Sequence, residues 1–173
     1  MIEIAEAANV GATAQRVVPD PAEGLLPFPV SPFPRCVVAD NYGGNSKANG
    51  PGGHEGVDIG ADEGTPVYAV EDGVLTRQLT DLSSAAGLGW ILLGVSDTQY
   101  RYYHLFEFAD GLEVGSTVRQ GDAIGSVGST GNAHPTGWHL HFEVRPGPQP
   151  ERGSATAVDP MPLLDIPETC TVY

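Results

Sequence analysis

Gly137-Trp138-His139-Leu140-His141-Phe142-Glu143-Val144-Arg145 alternates polar and apolar side chains without a break. A strand points successive side chains to opposite faces, so Leu140, Phe142 and Val144 share one face and His139, His141 and Glu143 the other. The apolar face belongs in a core. The histidine face must then look into a cleft or into solvent, with two imidazoles aimed at the same space.

The same period appears elsewhere. Residues 90–95 form an almost purely apolar run, consistent with a buried strand, and Ser96-Asp97-Thr98 turns it into a return strand over 99–105. Alternation places Tyr100, Tyr102 and His104 on one face of that strand. Residues 65–70 and 74–76, around Glu71-Asp72-Gly73, predict a hairpin. Residues 116–127 repeat the pattern, with Gly115-Ser116-Thr117-Val118 resembling Gly64-Thr65-Pro66-Val67, which points to a folded-over sheet with internal pseudo-symmetry. Twenty-three Gly and 15 Pro among 173 residues favour turns over long helices, so the expected class is mainly β.

That length and a hydrophobic content of 40% suit one domain plus tails. The expected division is a tail over residues 1–34 and a domain over 35–173. Residues 2–15 read as a short helix. The Pro-rich run Leu25-Leu26-Pro27-Phe28-Pro29-Val30-Ser31-Pro32-Phe33-Pro34 reads as an extended segment anchored by Leu25, Leu26, Phe28 and Phe33. The whole leader can equally be read as unstructured. Residues 41–53 are a loop by composition that delivers His54 into something more regular. Residues 146–157 form another loop.

Eight Lys and Arg against 22 Asp and Glu give a formal charge of −14, which disfavours nucleic acid and anionic membrane surfaces as partners. No stretch approaches the roughly 18 to 20 apolar residues needed to cross a bilayer, so no membrane insertion is expected. The first 30 residues lack a basic start followed by an apolar block. Cys36 and Cys170 have no metal-type spacing and are expected to form a disulfide, the alternative being two buried thiols. A bridge would point to an oxidising compartment.

His54 and Asp58 lie four residues apart in Gly52-Gly53-His54-Glu55-Gly56-Val57-Asp58-Ile59-Gly60, and on an extended segment both reach one side. Adding one imidazole of His139-Leu140-His141 gives two nitrogens and a carboxylate. Around Zn²⁺ that set leaves a fourth position for water, the arrangement of a catalytic rather than a structural site. Glu143 could hydrogen-bond a ligand imidazole or stay solvated. His134, in a loop, is expected to be solvated or to touch the cleft rim.

These stretches together, with residues 63–75, Tyr100-Arg101-Tyr102-Tyr103-His104-Leu105 and residues 118–132, resemble the lysostaphin-type, or LytM-like, zinc metallopeptidases in order and spacing over about residues 50–146. The resemblance implies antiparallel sheets of the LytM, or duplicated hybrid motif, type with few short helices. It implies Zn²⁺ held by His54, Asp58 and His141, with His104 and His139 catalytic. Asn132 sits where such proteins place a cleft loop, and Tyr102, beside His104 by alternation, is a second candidate for contacting substrate. The implied activity is metalloendopeptidase cleavage of peptidoglycan stem peptides or cross-bridges, by a monomer located extracellularly or in the cell envelope. Two other readings remain open: a LytM-fold module that binds or activates a partner cell-wall hydrolase, and a local wall-opening domain of an envelope or phage assembly.

Overall fold

The structure, a computed structural model, describes residues 25–44, 53–134, 137–147 and 157–173. The helix expected over 2–15 lies outside them, as do most of the loop before His54 and most of the loop after Pro146. Among the described residues there are thirteen strands and two 3-10 turns, Gly131–Ala133 and Met161–Leu163, and no helix long and apolar enough to cross a membrane.

In chain order the strands are β1 (Leu26–Pro27), β2 (Val37–Ala39), β3 (Val57–Gly60), β4 (Pro66–Tyr68), β5 (Gly73–Leu79), β6 (Gly89–Gly94) and β7 (Thr98–Tyr103). They continue with β8 (Leu105–Phe108), β9 (Thr117–Val118), β10 (Ala123–Val127), β11 (His139–Pro146), β12 (Leu164–Asp165) and β13 (Thr171–Val172). Eight of them form one sheet in the order β13-β2-β3-β11-β7-β6-β5-β9, a second sheet runs β4-β10-β8, and β1 pairs β12. All pairings are antiparallel except β1 with β12 and β13 with β2. The mainly β, antiparallel class read from the sequence is the one observed.

β11 is central because its apolar face is continuous. Leu140, Phe142 and Val144 are fully enclosed, and β3 and β7 hydrogen-bond its two edges. The core lies between the large sheet and the three-stranded one. The indole N–H of Trp90 on β6 donates to the Ile124 carbonyl on β10 at 3.0 Å, and the Trp90 ring meets Phe108 of β8 edge-on. Burying a ring of this size contributes roughly 2–3 kcal/mol through removed apolar surface.

β6 and β7 form the expected antiparallel pair around Asp97, which adopts a left-handed φ of 61°. The hairpin expected over residues 65–76 does not form. β4 belongs to the small sheet and β5 to the large one, because the chain crosses between layers at Ala69 and Val70, both buried. The two similar segments instead exchange partners: β4 pairs β10, and β9 pairs β5. A turn of the right length is no proof that its flanking strands pair with each other.

The Pro-rich segment is anchored, though only partly by the expected residues. Leu26 is buried and Phe28 packs on the core, whereas Leu25 and Phe33 are exposed. Val30 is the anchor that composition did not single out; it is enclosed and bridges Val67. Cys36 and Cys170 form a disulfide, so the two-thiol alternative does not hold. The bridge sets β13 beside β2, where Thr171 and Tyr173 donate their backbone N–H groups to Cys36 and Val38.

Candidate metal centre

His141 and Asp58 sit directly opposite each other in the β11/β3 ladder, so register alone brings imidazole and carboxylate together. His54 arrives from the loop before β3, fixed by two backbone hydrogen bonds, His54 N–H to Gly44 and Gly43 N–H to His54. Gly56 makes the approach possible. A Cβ at that position would run into the Phe142 carbonyl and the His141 ring.

Three donor atoms converge: His54 Nε2 lies 2.9 Å from His141 Nδ1, and Asp58 Oδ1 lies 3.2 Å from each. Tetrahedral donors around zinc at 2.0–2.1 Å are about 3.3 Å apart, so this near-equilateral triangle fits the ion. These three side chains form a group able to hold a metal ion.

The tautomer agrees. Glu143 Oε1 lies 3.1 Å from His141 Nε2, which makes that nitrogen the N–H donor and leaves the Nδ1 lone pair for the triangle. Arg145 holds Glu143 in turn, with Nε donating to Oε2 at 2.6 Å, and also reaches Glu55. Asn41 donates from Nδ2 to Asp58 Oδ2 at 2.8 Å, so the carboxylate offers its other oxygen to the triangle.

Protonation energetics reflect the same packing. Burial penalises the Asp58 carboxylate, but hydrogen bonds from His141 and His54 outweigh that and hold its pKa far below the usual carboxylate range. Burial likewise penalises a charged His141, yet Asp58 and Glu143 carry it up to about 9.

His104 and His139 lie beside this triangle, their rings 4.9 Å apart and edge-on. His104 does not continue the β7 alternation. It adopts a left-handed φ of 66° just after β7, with its N–H donating to Ala86 and its Nδ1–H to the Thr130 carbonyl at 2.8 Å. Burial first, and then the nearby His139 and His141, lower its pKa to about 4, so at neutral pH the ring is neutral with Nε2 as acceptor. His139 Nε2 faces Asp58 Oδ1 at 3.7 Å.

That break in alternation corrects one candidate. Tyr102 is fully enclosed in the core, where its hydroxyl accepts the Val70 N–H, and it does not line the cleft. Its neighbour Tyr103 does, stacked on His141 with centroids 5.6 Å apart. Asn132 lines the cleft as expected, on the 3-10 turn, where its N–H donates to the Ala85 carbonyl at 3.0 Å. Gly131, at φ 68°, allows that contact, because a Cβ there would strike the Ala85 carbonyl. Sequence reasoning missed Tyr103 and Asn41. The first was hidden by the assumption of an unbroken strand, and the second lies in a loop 17 positions before the carboxylate it orients.

The cleft holds about 520 Å³ between the His54 loop on one side and Ala85, Ala86, Asn132 and Ala133 on the other. The sequence profile of peptidase family M23 matches residues 52–160. The DD-carboxypeptidase/endopeptidase Mpg of Neisseria meningitidis serogroup B is 37% identical over 111 residues, 64% of this chain and 24% of that protein. The catalytic domain of the antimicrobial peptidase lysostaphin from Staphylococcus simulans is 29% identical, with a TM-score of 0.56 over 78% of this chain and 87% of that one. A zinc-containing peptidase from Vibrio cholerae is 28% identical with a TM-score of 0.61, covering 78% of this chain and 38% of that one. The chain spans about a quarter of the length of the curated relatives it matches.

Proposed function

The chain belongs to peptidase family M23, and from that premise we propose that it is a zinc-dependent endopeptidase acting on peptidoglycan stem peptides or cross-bridges outside the cytoplasm. The observation that carries this reading is the triangle of His54 Nε2, Asp58 Oδ1 and His141 Nδ1, with donor spacings that suit zinc and two further imidazoles at its side. The disulfide fits an oxidising compartment.

His54, Asp58 and His141 would hold the ion. Zinc bound there supplies Lewis-acid polarisation of a peptide carbonyl and acidifies water to near-neutral pKa. His104 is built as a proton acceptor: burial keeps it neutral, and its Nδ1–H is committed to the Thr130 carbonyl, so Nε2 takes the proton from the attacking water. The proton His104 takes from water is returned to the departing amine by way of His139, whose ring lies edge-on to His104. Tyr103 and Glu143 keep the His141 ring in one orientation, by stacking and by hydrogen bond. Asn132, at the cleft wall, contacts the peptide.

Purified protein loaded with one zinc per chain should release new amines from cross-linked muropeptides, while His141→Ala should lose both the metal and the cleavage. If zinc-loaded wild type cuts no muropeptide offered, the hydrolase reading is wrong and that of a binding or activating module takes its place.

A further inference from the structure

Arg145 continues the polar face of β11 after His139, His141 and Glu143, and its side chain is only 4% exposed. A guanidinium so enclosed needs partners for its charge. It has two carboxylates: Nε donates to Glu143 Oε2 and Nη2 to Glu55 Oε2, each at 2.6 Å. Both carboxylates stand beside a donor of the triangle. Glu143 Oε1 meets His141 Nε2, and Glu55 follows His54 directly in the chain.

The contact with Glu55 falls where the sheet stops. The register of β3 on β11 ends with Val57 opposite Phe142, three residues after His54. The backbone hydrogen bonds of His54 run to Gly43 and Gly44, in the segment after β2, and not to β11. Glu55 spans that gap, its side chain held to β11 by Arg145. Glu143, by contrast, already has a counter-charge in Arg101 of β7, which stands opposite it in the ladder with Nη1 3.6 Å from Oε2. What Arg145 adds is the bond across to the loop.

We propose that Arg145 is a positioning residue for the metal centre, a fork that fixes both imidazoles of the triangle at once, His141 through Glu143 and His54 through Glu55. The assignment rests on the metallopeptidase reading and adds to it the part that sets the spacing of the two histidine donors. Lysine would not serve, because one ammonium on a flexible stem cannot hold two carboxylates as the rigid, planar Nε and Nη2 do. An arginine present only to fill space or balance charge would tolerate lysine and be indifferent to Glu55.

The test compares wild type, Arg145→Lys, Glu55→Gln and the double variant as full chains. Zinc affinity is read by chelator competition, and donor geometry by the visible absorption of cobalt(II) bound in place of zinc. Arg145→Lys should lower zinc affinity about tenfold and Glu55→Gln about three- to tenfold, each with an altered cobalt spectrum. Adding Glu55→Gln to Arg145→Lys should change little more, since both act through one link. Melting temperatures of the metal-free proteins record folding; Glu55 is half-exposed, so Glu55→Gln alone decides if Arg145→Lys does not fold. Wild-type zinc affinity in either single variant, with or without a lower melting temperature, overturns the proposal, as do losses that multiply in the double variant. None of these readouts needs turnover. Zinc-loaded wild type that cleaves no muropeptide while the coupling holds would remove the hydrolase reading alone, and cleavage without the coupling would remove the positioning role alone.

Discussion

The two imidazoles of the donor triangle come from regions built in opposite ways. His141 stands in the middle of β11, with a strand hydrogen-bonded on either side, Tyr103 stacked on its ring, and Glu143 and Arg145 in line behind Nε2. His54 stands in a loop held by two backbone hydrogen bonds to residues 43 and 44, and its buried Nδ1 has no hydrogen-bond partner among the described residues. One imidazole is positioned by the sheet and tuned by a chain of charges, the other by a loop that a single glycine, Gly56, lets close. The site is therefore held by the sheet on one side and by a loop on the other.

Removing either imidazole tests whether both sides are needed. His54→Ala and His141→Ala should each lower zinc content from about one per chain to near zero, with cleavage falling on the order of 10³-fold or more. Metal retained by His54→Ala would break the comparison, showing that the strand side holds the ion alone. Glu143→Gln probes the supported side by itself. It keeps the shape but removes the charge behind His141, and zinc affinity measured by chelator competition should drop about 10- to 100-fold.

A pH series separates proton from metal. In the metal-free protein the His141 pKa is raised to about 9, so its contribution to stability is complete below its unfolded value of 6.5 and is lost as pH rises through 9. Asp58 has the opposite sign, its contribution disappearing as pH falls below the ordinary carboxylate range. The melting temperature of metal-free protein should fall between pH 6.5 and 9, while the zinc-loaded form holds, so the gap between them widens. Below about pH 6 the imidazole ligands take protons in place of the metal, and zinc occupancy and activity should fall together. A gap that stays constant would show that no proton is exchanged for the ion. The smallest effect is expected at Asn41→Ala, which frees one Asp58 oxygen and should weaken zinc binding about three- to tenfold in the same chelator assay.

The faces of β11 were legible from strand period and the His54–Asp58 pair from its spacing, while the choice of His141 over His139 as the third donor came only from the family resemblance. Glu143 was legible only as a possibility, since its partner is chosen by which way a ring turns. The Tyr102 assignment failed at one residue: a left-handed φ at His104 ends the alternation, and periodicity carries no sign of such a residue when it is not glycine. The hairpin over residues 65–76 failed for a different reason. Turn chemistry specifies that the chain reverses, while the choice of partner depends on which layer buries Val67 and Leu75, and these lie in different sheets. Arg145 could not be connected to the His54 side by any local rule, since its partner Glu55 stands 90 positions earlier.

The exchanged pairing of the two similar segments has a consequence for how the molecule must assemble. Val67 waits for Gly125 and Gly73 for Val118, so neither copy of the repeated unit can complete its strand pairs before the other has been synthesised. A fragment ending in the turn near Asp97 would expose unmated edges on β3, β4, β5 and β6 and should stay unfolded or self-associate. Supplying residues 98–173 as a separate chain should rescue it, as two halves of a clasp close only on each other.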